Sequence, residues 1–171
     1  RAIGWACDGR WVLLDAELQG AAGSLCAIWG ANGAGKSTLL RILAGWLAPA
    51  RGEVTVQGVA LGELAPASLC SLVAYLGHEP GLYLDLSALE NLHLFTVLQG
   101  SDASAQRREG VLAHLGIRGV DARRRVRGLS RGMQQRVALA RLLLGDTRVW
   151  LLDEPATGLD AEGGTTVIVH K

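Results

Sequence analysis

The segment Gly30-Ala31-Asn32-Gly33-Ala34-Gly35-Lys36-Ser37 limits the possible folds of this chain more than any other feature. It matches the pattern G-x-x-x-x-G-K-[ST], in which glycines let the backbone curl so that successive N–H groups point at phosphate oxygens. A short apolar run, Ser24–Trp29, precedes it, and an apolar-periodic stretch, Ser37–Trp46, follows it. A buried strand, a glycine-rich turn and a helix are the context that phosphate binding requires.

Lysine is rare in this chain, and its placement supports the same interpretation. Of the 17 basic residues, only Lys36 and Lys171 are lysines. Arginine is a planar fork, whereas the phosphate position of this motif needs a compact point charge. Lys36 is therefore predicted to reach the β- and γ-phosphates, and the Ser37 hydroxyl to hold Mg²⁺. The predicted phosphate-binding residues are Gly30, Ala31, Asn32, Gly33, Ala34, Gly35, Lys36, Ser37 and Thr38.

A second motif is the apolar run Val149–Leu152, which ends in Asp153 and Glu154. Ligands of open α/β sheets bind at the carboxyl ends of strands, so Asp153 is predicted to hold Mg²⁺. Glu154 is one residue further on and faces differently, so it is predicted to orient or deprotonate an attacking water. A lone Asp-Glu pair is usually a solvated turn, and the phosphate-binding pattern elsewhere in the chain favours the catalytic interpretation.

Predicted strands alternate with predicted helices along the chain, which indicates an α/β fold in a single domain, residues 1–171. Helical periodicity without a strand over about 87–144 predicts a helical subdomain inserted beside a mostly parallel sheet. Ser87 and Glu90 have capping-box spacing, and Ser130 is a good N-cap whose helix start, with Gly132, can also bind an anion. The predicted strands are Val12–Leu18, Ser24–Trp29, Glu53–Gln57, Leu72–Leu76, Val149–Leu152 and Thr165–Val169, and the later helices are Ala103–Leu115 and Arg131–Leu144.

Composition excludes several classes of protein. The formal net charge of +1 gives no reason to expect nucleic acid as a partner, and no apolar run is long enough to predict a membrane span. Three widely spaced cysteines fit reduced thiols in the cytoplasm rather than a disulfide framework. Because the chain begins with Arg1 rather than Met, its true start is expected to be missing.

Together, the phosphate-binding motif, the segment Leu129–Met133 and the run Leu151-Leu152-Asp153-Glu154-Pro155 resemble the ATP-binding subunits of ABC transporters. The resemblance implies an ABC-type P-loop NTPase that binds ATP and Mg²⁺. It also implies a head-to-tail homodimer in which Ser130 and Gly132 close the partner's ATP site. The expected location is the cytoplasmic face of the cell membrane, beside an integral membrane transporter subunit. Ala156–Asp160 resembles the D-loop of the family.

His78 stands where the family usually has a glutamine that contacts Mg²⁺ and water. The segments Gly77-His78-Glu79-Pro80-Gly81 and Leu86–Leu92 resemble the haem-exporter ATPases of cytochrome c maturation. This resemblance implies haem export, with a subunit that exports another small solute as the alternative. The adenine-stacking aromatic of the family falls near Cys7, and Trp5 or Trp11 are candidates to replace it.

The tail departs from the family pattern. Twelve residues, 153–164, separate the strand Val149–Leu152 from Thr165–Val169, which is too short for the expected crossover helix. The C-terminal end is therefore predicted to be shortened after residue 160, by an internal deletion or because the chain is a fragment. His170 is the candidate for the switch histidine of the family.

The function implied by the resemblance, an ATP-hydrolysing subunit of a transporter, has two alternatives. One is an ATP-binding subunit without hydrolysis, and the other is a soluble ABC ATPase of translation or DNA repair.

Overall fold

The computed structural model describes residues 2–101 and 103–154, and the backbone alone of residues 166–170. The chain divides into two units. Unit 1 comprises Arg1–His78 and Thr147–Lys171, and unit 2 comprises Glu79–Asp146. The predicted D-loop, Ala156–Asp160, and the site of the predicted shortening lie outside the described residues.

Unit 1 begins with two strands, β1 (Ile3–Cys7) and β2 (Arg10–Ala16), which pair antiparallel. The sequence predicted a strand at Val12–Leu18 but none at β1. A second hairpin joins β4 (Thr55–Val56) to β5 (Val59–Ala60). The predicted strand at Glu53–Gln57 is shorter than expected because Gln57 and Gly58 turn the chain with φ values of 53° and 80°.

The main sheet of unit 1 has four strands in the order β3, β8, β7, β6. They span β3 (Leu25–Ile28), β6 (Val73–Leu76), β7 (Val149–Leu152) and β8 (Thr166–His170). The described residues of this unit form two α-helices, α1 (Lys36–Leu43) and α2 (Pro66–Leu72), of which the sequence predicted only the first. The α/β fold with its strand, phosphate-binding turn and helix is confirmed.

The prediction of a mostly parallel sheet agrees with three of the four strands, and β8 is the exception. The strands β6 and β7 are parallel, but β8 pairs antiparallel with both β3 and β7. A parallel return needs a crossover of about a dozen residues or more, and the thirteen residues 153–165 are close to that minimum. An antiparallel return has no such requirement. Three strands therefore share one direction, and β8 opposes them.

Helix α1 covers one face of this sheet. Leu40 and Ala44 are buried against Val149 and Leu151 of β7, together with Val73 of β6. Alternate residues of a strand point to the same face, so Val149 and Leu151 define the face of β7 that meets α1. Asp153 continues this alternation by two residues, and the same rule places it on the face that α1 covers.

Unit 2 is helical over its described residues. It contains α3 (Ala88–Leu98), α4 (Ala105–His114), α5 (Val120–Arg123) and α6 (Arg131–Leu144). Its apolar core joins all four helices through buried side chains, including those of Leu92, Leu112, Ala122, Val126 and Val137. In the part of the chain that the structure describes, no helix has both the length and the apolar character to cross a membrane.

Candidate nucleotide-binding site

The phosphate loop, Gly30–Ser37, is the sharp connection between β3 and α1. Helix α1 begins at Lys36 with Gly35 as its N-cap, in a left-handed conformation and without a side-chain cap. A Cβ on Gly35 would lie 2.9 Å from Leu13 Cδ2 and 3.2 Å from the carbonyl oxygen of Val12. Both the φ of 89° and this close approach require glycine at that position. The N–H groups of the first turn therefore have no side-chain cap competing for them.

Lys36 lies inside the curl of the phosphate loop. Its side chain is 8% exposed, and Nζ donates to the carbonyl oxygens of Gly30 at 2.8 Å and Ala31 at 3.0 Å. The ammonium group is thereby held at the centre of the loop before any ligand binds. Ser37 and Thr38 are half-buried in the first turn of α1. A helix N-terminus with a preorganised cation beside it favours a phosphate group.

Asp153 follows the last residue of β7 and is 4% exposed. Its backbone N–H donates to the carbonyl oxygen of Leu76 at 2.8 Å, which extends the pairing of β6 and β7 by one residue. Its Oδ2 accepts a hydrogen bond of 3.1 Å from the hydroxyl of Tyr75. Burial, together with the charge and the hydrogen bond of Asp153, raises the pKa of Tyr75, so the phenol is the donor. Sequence reasoning did not find Tyr75, because 78 residues separate the partners.

Glu154 is half-buried and has a φ of 51°, in the left-handed region that non-glycine residues seldom adopt. The backbone turns sharply here, directly after the buried Asp153. Strained backbone of this kind often occurs at functional sites, where neighbouring structure maintains it. The position fits a group that acts next to Asp153 while facing in a different direction.

Two oxygen groups of unit 1 suit Mg²⁺, namely the Asp153 carboxylate and the Ser37 hydroxyl. Among the described residues, no three His, Cys, Asp or Glu side chains converge on one point. This agrees with the usual chemistry of Mg²⁺, which is held by one or two protein oxygens together with substrate phosphates and water. Asp153 is placed on the face of the sheet that α1 covers, and α1 begins next to Ser37. The donor set therefore fits the ion.

In unit 2, Ser130 caps the start of α6, as predicted. Its Oγ accepts a hydrogen bond of 3.3 Å from the N–H of Met133, and both Ser130 and Gly132 are exposed. Gln134, which the sequence did not single out, donates through Nε2 to the carbonyl oxygens of Val126 at 3.0 Å and Leu129 at 3.1 Å. This amide fastens the segment that leads into the helix.

His78 is the last residue of the first segment of unit 1 and is exposed. The loop after it is organised by Asn91, which is 0% exposed and was not found from the sequence. Asn91 Oδ1 accepts from the N–H of Tyr83 at 2.8 Å, and Nδ2 donates to the carbonyl oxygens of Tyr83 and Ser87, both at 2.9 Å. The sequence offered one indication of this role, because Asn91 is a polar residue among the apolar residues of a helix.

The proposed role of His170 is not supported by the strand register. His170 pairs with Val149, the first residue of β7, whereas Asp153 follows the last. Four residues of extended chain correspond to about 13 Å. Because β8 runs antiparallel, its carboxyl end lies beside the amino ends of β3 and β7. The phosphate loop and Asp153 follow the carboxyl ends of those two strands. The register thus does not bring the backbone of His170 next to Asp153, and a catalytic role for His170 stays a prediction.

The two candidate tryptophans for stacking on adenine differ in their surroundings. Trp5 is half-buried and packs against the core cluster that contains Ile3. Trp11 is 49% exposed, and the guanidinium of Arg51 lies 4.3 Å from its ring centroid. Trp11 is thus the more accessible ring, and Arg51 already occupies one of its faces.

Comparison with known proteins assigns the class. The sequence profile of the ABC transporter family matches residues 13–157. The chain therefore belongs to the ABC transporter family and is a subunit of the ATP-binding, ATP-hydrolysing type.

Within that family the chain is similar to curated relatives named cytochrome c biogenesis ATP-binding export proteins. The relative from Methylococcus capsulatus is 47% identical over 141 residues, covering 82% of this chain and 67% of its own length. The relative from Xanthomonas campestris is 47% identical over 167 residues, covering 98% and 76%. A third, from Cupriavidus necator, is 40% identical over 160 residues, covering 94% and 70%.

Solved structures agree on the fold. A dimeric ATP-binding cassette in a post-hydrolysis state with ADP and Pi matches with a TM-score of 0.78 and 24% identity, over 94% of this chain and 75% of that one. A dimeric bacterial ABC transporter cassette matches with the same TM-score and coverage at 25% identity.

Proposed function

We propose that this chain binds ATP with Mg²⁺ at the phosphate loop and hydrolyses it to power export through a separate membrane subunit. The observation that carries the proposal is the position of Lys36, whose ammonium group is held within the loop by two carbonyl oxygens at the uncapped start of α1. A cation and a set of N–H donors in one place suit the β- and γ-phosphates of a nucleoside triphosphate.

Hydrolysis is proposed to proceed by in-line attack of water on the γ-phosphorus. The new P–O bond forms as the bond to the bridging oxygen of the β-phosphate breaks, and ADP leaves. Glu154 accepts the proton of the attacking water, and His78 is a second candidate for contacting that water. Mg²⁺, held by Ser37 and Asp153, supplies neutralisation of phosphate charge when bound. His170 has no part in this proposal.

The partners are proposed to be a second copy of the chain and an integral membrane subunit. Ser130 and Gly132 of one copy would contact the nucleotide held by the other, because a helix start with exposed N–H groups suits an anion. The dimeric cassettes that match this fold support the homodimer. The names of the curated relatives support a role in cytochrome c biogenesis. The proposed exported substrate is haem, with another small solute as the alternative. This arrangement places the subunit on the cytoplasmic face of the membrane.

The test compares the purified wild-type chain with Lys36→Ala. Both ATPase activity and ATP affinity are measured. Loss of one charge-assisted phosphate contact is worth about 2 kcal/mol, so we expect ATP affinity to fall roughly thirtyfold. Arg10→Ala, which removes an exposed cation from β2 of the same unit, controls for the loss of a positive charge. Equal ATP affinity in wild type and Lys36→Ala would contradict the proposed site.

A second candidate is an ATP-binding subunit without hydrolysis. The observation in its favour is the register of β8, which places His170 at the far edge of the sheet. Wild-type protein that binds ATP but shows no turnover, alone or with its membrane subunit, would establish this candidate instead.

A further inference from the structure

We propose that Tyr75 is a positioning residue for the metal ion, because its hydroxyl sets the orientation of the Asp153 carboxylate. The inference rests on the proposed function, since it assumes that Asp153 holds Mg²⁺ beside ATP. It adds a residue that lies outside the phosphate loop, the Asp-Glu pair and the segment at Ser130.

The register of the sheet brings the two side chains together. Tyr75 pairs with Leu151 across the parallel strands, and Asp153 lies two residues beyond Leu151 on the same face. Such diagonal neighbours are within reach of a long aromatic side chain. The hydroxyl of Tyr75 meets Asp153 Oδ2 at 3.1 Å. The carboxylate is 4% exposed, so this contact is shielded from competing water.

Three further groups lie near the phenol ring itself. The indole of Trp46 packs edge-on against it, with ring centroids 4.7 Å apart and an interplanar angle of 63°. The ring also lies close to the backbone of Gly77, where a Cβ would be 2.9 Å from Cε1 and 3.2 Å from the hydroxyl oxygen. Arg41 is near enough to oppose the rise in the pKa of Tyr75. A ring with these neighbours has little freedom to rotate, so its hydroxyl presents a fixed donor to Asp153.

The consequence for the metal follows from how ligands are oriented. A carboxylate that is free to rotate must lose that freedom when it binds an ion, and a fixed donor on one oxygen removes this cost in advance. Removal of such an outer partner typically lowers metal affinity by about 10–100-fold. Tyr75 does not itself touch the reacting atoms and acts only through Asp153.

The test compares Tyr75→Phe with wild type by titrating the protein–ADP complex with Mn²⁺ and measuring free Mn²⁺ by electron paramagnetic resonance. We expect the Mn²⁺ dissociation constant to rise about tenfold. ADP affinity in the presence of EDTA is expected to stay unchanged, because the phosphate loop is intact. The other tyrosine of the chain provides the matched control, and Tyr83→Phe is expected to bind Mn²⁺ as wild type does. Mn²⁺ affinity of Tyr75→Phe within twofold of wild type would overturn the proposal.

A double-mutant cycle separates positioning from a structural role. In the Asp153→Asn background, Tyr75→Phe is expected to cause no further loss of Mn²⁺ affinity, because the group through which it acts is already altered. Additive losses would overturn the proposal. In the ATPase assay, Tyr75→Phe is expected to raise the Mg²⁺ concentration for half-maximal rate and to leave KM for ATP unchanged at saturating Mg²⁺. If Asp153→Asn itself binds Mn²⁺ as wild type does, the proposed metal site fails; if only Tyr75→Phe does, this inference alone fails.

Discussion

The three long helices of unit 2 and helix α1 of unit 1 begin in different ways. In unit 2, α3, α4 and α6 each start at a serine whose side chain accepts from a backbone N–H of the first turn, at Ser87, Ser104 and Ser130. In unit 1, α1 starts at Gly35 without a side-chain cap. Serine caps satisfy the helix start from within the chain, whereas an uncapped start leaves its donors for a ligand. The serine caps therefore stabilise the starts of α3, α4 and α6, whereas the uncapped start of α1 can bind phosphate.

The largest effect is expected in unit 1. Glu154→Gln should lower ATP turnover by about 10²–10⁴-fold, because the amide cannot take a proton from water. ATP affinity should remain within a few-fold of wild type, as the phosphate loop is unchanged. Single-turnover hydrolysis and equilibrium binding of a fluorescent ATP analogue measure the two quantities. Turnover close to that of wild type would remove Glu154 from the role of base.

The next effect concerns the stability of unit 2. Asn91→Ala removes a buried amide that satisfies backbone groups of Tyr83 and Ser87. Leaving such groups unsatisfied costs about 2–4 kcal/mol in the free energy of unfolding. Hydrogen exchange should accelerate at residues 81–87 and remain unchanged in the phosphate loop. Gln106→Ala, exposed on α4, is the control. Equal acceleration in both units would contradict the distinction between them.

A matched pair of caps tests whether Ser130 differs from the other serines. Ser104 accepts from Arg107 N at 3.2 Å and Ser130 from Met133 N at 3.3 Å. Either change to alanine should cost about 1 kcal/mol in unfolding free energy, measured by urea denaturation. Only Ser130→Ala should also lower the ATPase rate of the assembled dimer. If Ser104→Ala lowers that rate equally, Ser130 acts as a cap alone.

The smallest effect is a dependence on pH at the start of α3. The Ser87 backbone N–H donates to Glu90 Oε2 at 2.7 Å and, with the Ser87 side chain, holds the pKa of Glu90 below its ordinary value of 4.5. The stabilisation is therefore present above that value and lost as pH falls through the lowered pKa.

Urea midpoints of wild type and Glu90→Gln measure this dependence. The two proteins should differ at pH 7, and the difference should shrink as pH falls through the lowered pKa of Glu90. A difference between wild type and Glu90→Gln that persists unchanged at pH 3 would show that the charge of Glu90 does not contribute.

Much of the site could be predicted from local sequence. The pattern around Lys36 requires a strand, a turn and a helix, and β3 and α1 supply them. The limits of α6 and β7 coincide with the predicted ranges Arg131–Leu144 and Val149–Leu152, because caps and apolar runs act over a few residues. The strand β1 and helix α2 were missed, since neither has a clear periodic pattern.

Contacts between distant segments could not be predicted. Tyr75 and Asp153 lie 78 residues apart, and neither segment carries a local sign of the other. Asn91 shows only as a polar residue in an apolar helix, and its partners depend on how the preceding loop folds back. For His170, the apolar run before it indicated a strand, but the direction of that strand depends on its pairing with β3 and β7.

The sequence by itself determined the chemistry of this protein: a lysine in a glycine-rich turn, an acidic pair after an apolar strand, and serine caps at two helices, Ser87 and Ser130. Each depends on residues within a few positions of one another, where backbone geometry leaves little choice. Only the tertiary structure decided that β8 returns antiparallel, which moves His170 away from the phosphate loop, and that Tyr75 meets Asp153. Those outcomes depend on strand direction and register, which the packing of the whole sheet determines.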